Sequence, residues 1–199
     1  MPLQNRVDPF GDLQAVTDRG AWLGNRGILH DDARTITTWA RGRLWIICAL
    51  EFGGRHRVPM SPRTYTELFF LDEATAFAAG HRPCGECRRE HYVAFGDRAT
   101  GGARPSAGDL DARLDGERRR GQRRIAEYGT VPDQPPGTMV DLCGAPHLWC
   151  HDELRPWSFA GYGAPVSVPD HVVPVLTPPT TRRVLRHGYP VQLDPSATA

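Results

Sequence analysis

The sequence contains no lysine, and all 24 of its basic residues are arginine. The 23 acidic residues offset them, so the formal net charge is +1 and the isoelectric point is about 7.7. A protein that binds nucleic acid through non-specific charge is usually more basic. The overall charge therefore disfavours a general polyanion-binding protein, and a local arginine patch is the remaining route to phosphate contacts.

Long apolar runs are also missing. The longest, residues 44–50, has the length of a β-strand, whereas a membrane-spanning helix needs about 18 or more apolar residues. The N-terminal segment MPLQNRVDPFGDL contains no apolar stretch of the kind that a secretory signal carries. These features predict a cytoplasmic protein with no membrane partner.

Cysteine is scarce, with five residues at positions 48, 84, 87, 143 and 150. In a reducing compartment, metal binding or catalysis is a commoner role for cysteine than a disulfide, and the odd number argues against a purely disulfide framework. A second group of cysteines and histidines occurs in the C-terminal half, with a spacing that is typical of no zinc site. We expect these four residues to have core or surface roles: Cys143, His147, Cys150 and His151.

The pattern of apolar residues and turn formers predicts a mixed α+β fold with a β-rich C-terminal half. Residues 1–39 are rich in turn formers and predict an irregular arm with a short helix. Residues 40–95 predict a small module that begins with a β-hairpin at 43–60. Residues 96–137 predict a linker and an exposed Arg-rich helix. Residues 138–199 predict short strands and a last helix that ends before Gly188.

The most informative segment is the motif Pro83-Cys84-Gly85-Glu86-Cys87. It follows a predicted alanine-rich helix at 73–79, with Asp72 as its N-cap and Gly80 at its end, and it precedes a predicted helix at 88–95. Two thiolates separated by two residues can bind one metal ion, because the intervening N–H groups stabilise the sulfur charge. Zinc is a metal that soft thiolate ligands select, so the motif predicts a zinc site.

One such motif supplies only two of the four ligands that zinc usually has. Cys48 is the best third candidate, because it lies at a predicted strand end and is the only cysteine upstream. His91 lies four residues after Cys87, about one helical turn, and is the predicted fourth ligand. His30 and water are alternatives. His56 is a weaker one, because alternation in the predicted hairpin places it on the face opposite Cys48.

Residues 68–88, LFFLDEATAFAAGHRPCGECR, resemble the zinc-binding domain of the bacterial Ada DNA-repair protein family. An aromatic strand, a short alanine-rich helix that ends in glycine, and an Arg-Pro-Cys-x-x-Cys turn occur in that family in the same order and spacing. With the upstream hairpin that carries Cys48, the resemblance covers roughly residues 48–91. It implies that residues 40–95 form an Ada-like zinc module.

In that family four cysteines bind zinc, and the first accepts a methyl group from a DNA phosphotriester. The resemblance implies that Cys84 and Cys87 are the last two ligands and that Cys48 is the catalytic methyl acceptor. Phe52 stands where the family has its second cysteine. With a histidine in its place the sulfur is a weaker nucleophile, and an open position favours a bound water of lowered pKa.

The zinc motif and the resemblance are consistent with three alternative functions. The first is a nucleic-acid-binding protein that acts at alkylated DNA, with phosphate contacts from Arg82, Arg88 and Arg89. The alternative is a zinc-dependent enzyme that acts on a small molecule, for which the anion-binding arginines indicate an anionic substrate. The third is a structural zinc site in an interaction protein. Nothing in the sequence selects a base for the enzyme among four carboxylates: Glu51, Glu67, Glu73 and Glu86.

Overall fold

A computed structural model describes residues 1–54, 58–120, 123–124 and 127–198. These residues form four α-helices, two six-stranded sheets and a two-stranded ribbon, which confirms the α+β class and the β-rich C-terminal half. The helices are α1 (Glu73–Ala78), α2 (Arg89–Ala99), α3 (Ala107–Arg118) and α4 (Pro179–Arg186), and a 3-10 turn covers Pro195–Thr198.

The first sheet consists of β1 (Arg6–Val7), β2 (Leu13–Gln14), β3 (Trp22–Asn25), β4 (Ile46–Cys48), β5 (Leu68–Phe70) and β6 (Arg82–Pro83). Their spatial order is β2-β1-β5-β3-β4-β6. The pairs β1–β5 and β4–β6 are parallel, and the other pairs are antiparallel.

The central strands of this sheet have two different faces. Ile47, Leu68 and Phe70 are fully buried in the first hydrophobic core, together with apolar residues of all four helices. Because side chains alternate along a strand, Cys48 and Phe69 point to the opposite face. One face of the sheet therefore stabilises the fold, and the other is available for a site.

Helix α1 begins and ends as predicted. The Asp72 carboxylate accepts hydrogen bonds from the backbone N–H of Thr75 at 2.8 Å and from its hydroxyl at 2.7 Å. Gly80 follows the helix with φ +88°, and a Cβ there would lie 2.7 Å from Cδ of Arg118. Glycine is required at this position by the backbone angle and by the close approach.

The second sheet consists of β9 (Glu127–Gly129), β10 (Thr138–Leu142), β11 (Ala145–Cys150), β12 (Glu153–Ser158), β13 (Gly161–Tyr162) and β14 (Val173–Val175), in the order β13-β12-β11-β10-β14-β9. The ribbon is β7 (Arg119–Arg120) with β8 (Arg123–Arg124). Ala74 and Ala78 of α1 share a second hydrophobic core with Met139 and Leu148. Helix α1 thus joins both sheets.

The N-terminal region differs from its prediction. Residues 1–39 contain three strands of the first sheet and no helix, instead of an irregular arm with a short helix. The Asp31 carboxylate accepts from the N–H groups of Ala33 and Thr35 at 2.9 Å, which closes a local turn rather than a helix N-terminus. The arm and the module that begins at residue 40 therefore share one sheet.

The predicted hairpin at 43–60 also differs. Strand β4 pairs with β3 on one side and with β6 on the other, so it has no free edge for a returning strand. Residues 55–57 lie outside the described part of the chain, and residues 58–60 are not in a strand. The Arg-rich helix ends at Arg118 and buries Leu110 and Leu114, so it is not a fully exposed helix.

His81 lies in the core and gives the fold a predicted pH dependence. Burial, reinforced by the nearby Arg26 and Arg118 guanidinium groups, lowers the pKa of His81 well below its ordinary value of 6.5. The folded state therefore keeps the ring neutral, while the unfolded chain binds a proton below pH 6.5. Stability is full above that pH and falls as the pH drops through 6.5 toward the lowered pKa.

We expect this group to reduce the free energy of unfolding by about 1.4 kcal/mol per pH unit below pH 6. In His81→Gln, chemical denaturation between pH 7 and 5 should show a smaller slope. His171→Gln removes an exposed histidine and is the matched control. Equal slopes in the wild type and in His81→Gln would contradict the assignment.

Among the described residues, no helix combines the length and the apolar composition that crossing a bilayer requires.

Candidate metal centre

Strand pairing brings the first two cysteines together. Strands β4 and β6 are parallel, with Ile47 opposite Pro83, so the next residues in register are Cys48 and Cys84. The Cys84 N–H donates to the Ile47 carbonyl at 2.9 Å and continues this pairing. The chain then turns through Gly85 and Glu86 to Cys87. The Sγ atoms of Cys48, Cys84 and Cys87 all lie within 4.8 Å of one another.

Backbone N–H groups hold two of the sulfur atoms. The Glu86 N–H donates to Sγ of Cys84 at 3.4 Å, within the turn. The Ala49 N–H, immediately after β4, donates to Sγ of Cys87 at 3.4 Å. The sheet and the turn therefore each supply a donor that stabilises negative charge on sulfur.

The three thiols perturb one another. The hydrogen bond that the Cys48 thiol donates lowers the pKa of Cys84 to about 5. The same bond, together with burial, raises the pKa of Cys48, and burial raises the pKa of Cys87. The cluster thus holds one thiolate readily and resists the second and third, as repulsion between closely spaced anions requires. A cation that binds all three sulfur atoms would relieve this repulsion, and the cluster can hold a metal ion.

The predicted histidine ligands lie elsewhere. His91 is not part of the cluster, and its Nδ1 lies 3.0 Å from the Tyr189 hydroxyl. His30 is 6% exposed, with Nδ1 2.6 Å from the Thr66 hydroxyl. His56 lies outside the described residues. Among the described residues, no His, Asp or Glu joins the three sulfur atoms.

His91 was predicted as a ligand but does not join the cluster, because helix α2 begins too late in the sequence. A spacing of four residues brings two side chains together only when both lie on the helix. Helix α2 begins at Arg89, so Cys87 precedes it and the helical spacing does not apply. The fourth position has no protein ligand among the described residues.

Two of the three predicted anion-binding arginines are buried in internal ion pairs. Arg82 donates from Nε and Nη2 to the Asp111 carboxylate at 2.7 and 2.9 Å. Nη1 of Arg88 lies 2.7 Å from Oε1 of Glu73, and its guanidinium carbon lies 4.0 Å from the Trp22 ring centroid. Both guanidinium groups are therefore bonded to carboxylates of the protein itself. The third arginine, Arg89, is exposed.

The sulfur cluster lines a cavity of about 230 Å³. Its floor is the face of the first sheet that carries Cys48, and Cys84 and Cys87 also line it. The remaining lining is mostly apolar and aromatic, with two carboxylates. The lining includes Leu23, Tyr65, Glu67, Phe69 and Glu86.

The structure distinguishes the four candidate bases. Glu73 is fully buried and bonded within the protein, Glu51 is exposed outside the cavity lining, and Glu86 lines the cavity but is exposed. Glu67 is 4% exposed and lines the cavity. The sequence contained one indication that Glu67 lies at the site. In the predicted strand, Glu67 and Phe69 alternate with Leu68 and Phe70, which are buried, so Glu67 and Phe69 share the other face.

The second group of cysteines and histidines forms no metal cluster among the described residues. Cys143 is exposed in a turn with φ 53°, and Cys150 is buried in the second core. Both observations agree with the expected core and surface roles.

Comparison with protein-family models, with curated proteins and with solved structures finds no match for this chain. The resemblance to the Ada zinc domain stays a prediction, and the function must be inferred from the geometry of the site.

Proposed function

We propose that the protein is a zinc-dependent enzyme that acts on a small molecule. Its zinc ligands are Cys48, Cys84 and Cys87, and the fourth coordination position belongs to a group from the cavity. The observation that carries this proposal is that three clustered sulfur atoms line a cavity of about 230 Å³, while the described histidines lie outside the cluster.

Zinc suits the donor set. Three thiolates about 2.3 Å from a tetrahedral ion lie about 3.8 Å apart, and the three sulfur atoms here lie within 4.8 Å of one another. When bound, zinc would polarise a substrate atom or lower the pKa of a group in its fourth position.

The residues of the chain would supply the rest of the site. Cys48 presents the cluster to the cavity from the sheet. The Glu86 N–H in the turn fixes the sulfur atom of Cys84, and the Ala49 N–H after β4 fixes that of Cys87. Leu23 and Phe69 make the cavity floor apolar, which limits water around the reacting group and strengthens local electrostatic interactions.

The nucleic-acid function that the Ada resemblance implies has less support. Of its three predicted phosphate contacts, Arg82 and Arg88 are committed to buried carboxylates, and only Arg89 is exposed. Methyl acceptance by Cys48 is the chemistry that this alternative requires. It predicts that a methylating agent labels Cys48 and that DNA binding weakens steeply with salt.

Metal analysis followed by cobalt substitution tests the proposal. We expect about one zinc per chain, since a single three-cysteine cluster is present among the described residues. In the cobalt form, a small thiol such as 2-mercaptoethanol should change the sulfur-to-cobalt charge-transfer band, because the fourth position accepts an external ligand. Cys143→Ser removes the exposed thiol outside the site and serves as the background.

Three results would count against the proposal. A cobalt spectrum that no external ligand changes would indicate a structural site, and protein without metal would show that the cluster is not a metal centre. Methyl labelling of Cys48 together with salt-dependent DNA binding would favour the Ada-like alternative.

A further inference from the structure

The cavity floor has a regular arrangement of side chains. In the registered strands, Phe69 of β5 lies opposite Leu23 of β3, and Leu23 lies opposite Cys48 of β4. Registered residues point to the same face, and so do residues two positions apart. Glu67 therefore lies on the cavity face with Phe69, two strands away from Cys48. Adjacent strands are about 4.8 Å apart, so roughly 10 Å of floor separates the two strands.

The Glu67 carboxyl group is half satisfied by the protein. Its Oε2 accepts a hydrogen bond from the Met60 N–H at 2.8 Å. Its Oε1 is buried, and no donor among the described residues reaches it. Buried carboxylate oxygens in folded proteins nearly always have a partner. Because Glu67 is 4% exposed and lines the cavity, a molecule in the cavity can supply that donor.

The charge of Glu67 favours a positively charged partner. None of the ion pairs between described residues includes Glu67. Arg6 lies opposite Phe69 on β1, with its guanidinium carbon 4.6 Å from the centroid of the Phe69 ring, and it donates to the Asp18 carbonyl at 2.5 Å and to Oδ1 of Asn5 at 2.6 Å. This arginine is therefore bonded to other groups. A buried carboxylate without an ion-pair partner favours a cationic occupant over the anionic substrate that the sequence suggested.

We infer that Glu67 is the substrate-recognition residue of this site, and that the substrate is a small molecule with a protonated amine at one end. The amine donates to Oε1 of Glu67, and the other end of the molecule reaches the fourth position at the cysteine cluster. This inference rests on the proposed zinc site and names the class of molecule that the site accepts. It concerns binding and includes no covalent step.

A series of probe thiols tests the inference in the cobalt-substituted full chain. The probes are aminoalkanethiols from cysteamine to 6-aminohexanethiol, each matched with a hydroxyalkanethiol of the same length. Binding is followed by the charge-transfer band. At one chain length, wild-type protein should prefer the amine by about tenfold, because a charge-assisted hydrogen bond forms only with the ammonium group.

Glu67→Gln should abolish the preference while keeping thiol binding. The amide oxygen can still accept from Met60 N–H, so the local fold has its hydrogen bond. Glu51→Gln removes the same charge from an exposed position outside the cavity lining, and it should keep the preference.

The outcomes separate the inference from the proposed function. Thiols that bind with no amine preference at any length would overturn the role of Glu67 and leave the zinc site intact. A preference that Glu67→Gln retains, or that Glu51→Gln loses, would overturn it as well. If no thiol of either series changes the spectrum, the proposed function fails and the inference fails with it.

Discussion

At the proposed zinc site, replacing Cys84 with serine is expected to lower the affinity for zinc by several hundredfold. Structural zinc sites bind with about 10–16 kcal/mol, or roughly 3–4 kcal/mol for each of four positions, and each 1.4 kcal/mol is a factor of ten. Cys84 contributes more than an average share, because it accepts the hydrogen bond of the Cys48 thiol and has a pKa lowered to about 5. Competition with a chelator of known affinity measures the change.

The matched control for this variant is Cys143→Ser, which makes the same chemical change at an exposed turn. Its zinc affinity and thermal stability should equal those of the wild type. Cys84→Ser protein that binds zinc as tightly as the control would show that the cluster is not the metal centre.

Replacing Glu73 with alanine is expected to give the largest loss of stability, about 3–5 kcal/mol. Glu73 is fully buried, and its carboxylate accepts from the Tyr189 hydroxyl at 2.7 Å and from the Gln192 N–H at 3.0 Å. It also pairs with Arg88 at 2.7 Å. Without it, Arg88 becomes a buried cation without its ion-pair partner, next to Cys87.

For a chain of this size, such a loss lowers the melting temperature by roughly 10 °C. Glu90→Ala, in the exposed first turn of α2, is the control and should change stability by less than about 0.5 kcal/mol. Glu73→Gln keeps the volume and one acceptor oxygen, so it should lie between the two. A change below about 1 kcal/mol in Glu73→Ala would mean that Arg88 finds another partner.

Features that depend on neighbouring residues were predictable from the sequence. Helix α1 has an N-cap at Asp72 and a glycine at its end, and both signals are local. The cysteine turn is local too, and its proximity to Cys48 came from the resemblance and the position of that residue at a strand end. Long-range partners were not predictable. Asp111 binds Arg82 across 29 residues of chain, and nothing near either residue indicates the other.

Short strands explain the largest difference in the fold. Strands β1 and β2 contain two residues each, too few for an alternating pattern to be visible. Their place in the sheet is set by the pairing of β1 with β5, which lies about 60 residues later in the sequence, and β2 joins the sheet only through β1. The role of Glu67 was not predictable for the same reason, because the cavity that it lines is built from segments that are distant in the sequence.

The two-faced sheet implies that function and stability can change independently over evolution. Ile47, Leu68 and Phe70 fill the core, while Cys48, Glu67 and Phe69 face the cavity. Neighbouring codons on one strand therefore carry different constraints, one on folding and the next on chemistry. A descendant lineage can acquire another ligand preference by substitutions at alternate positions, with the intervening residues unchanged.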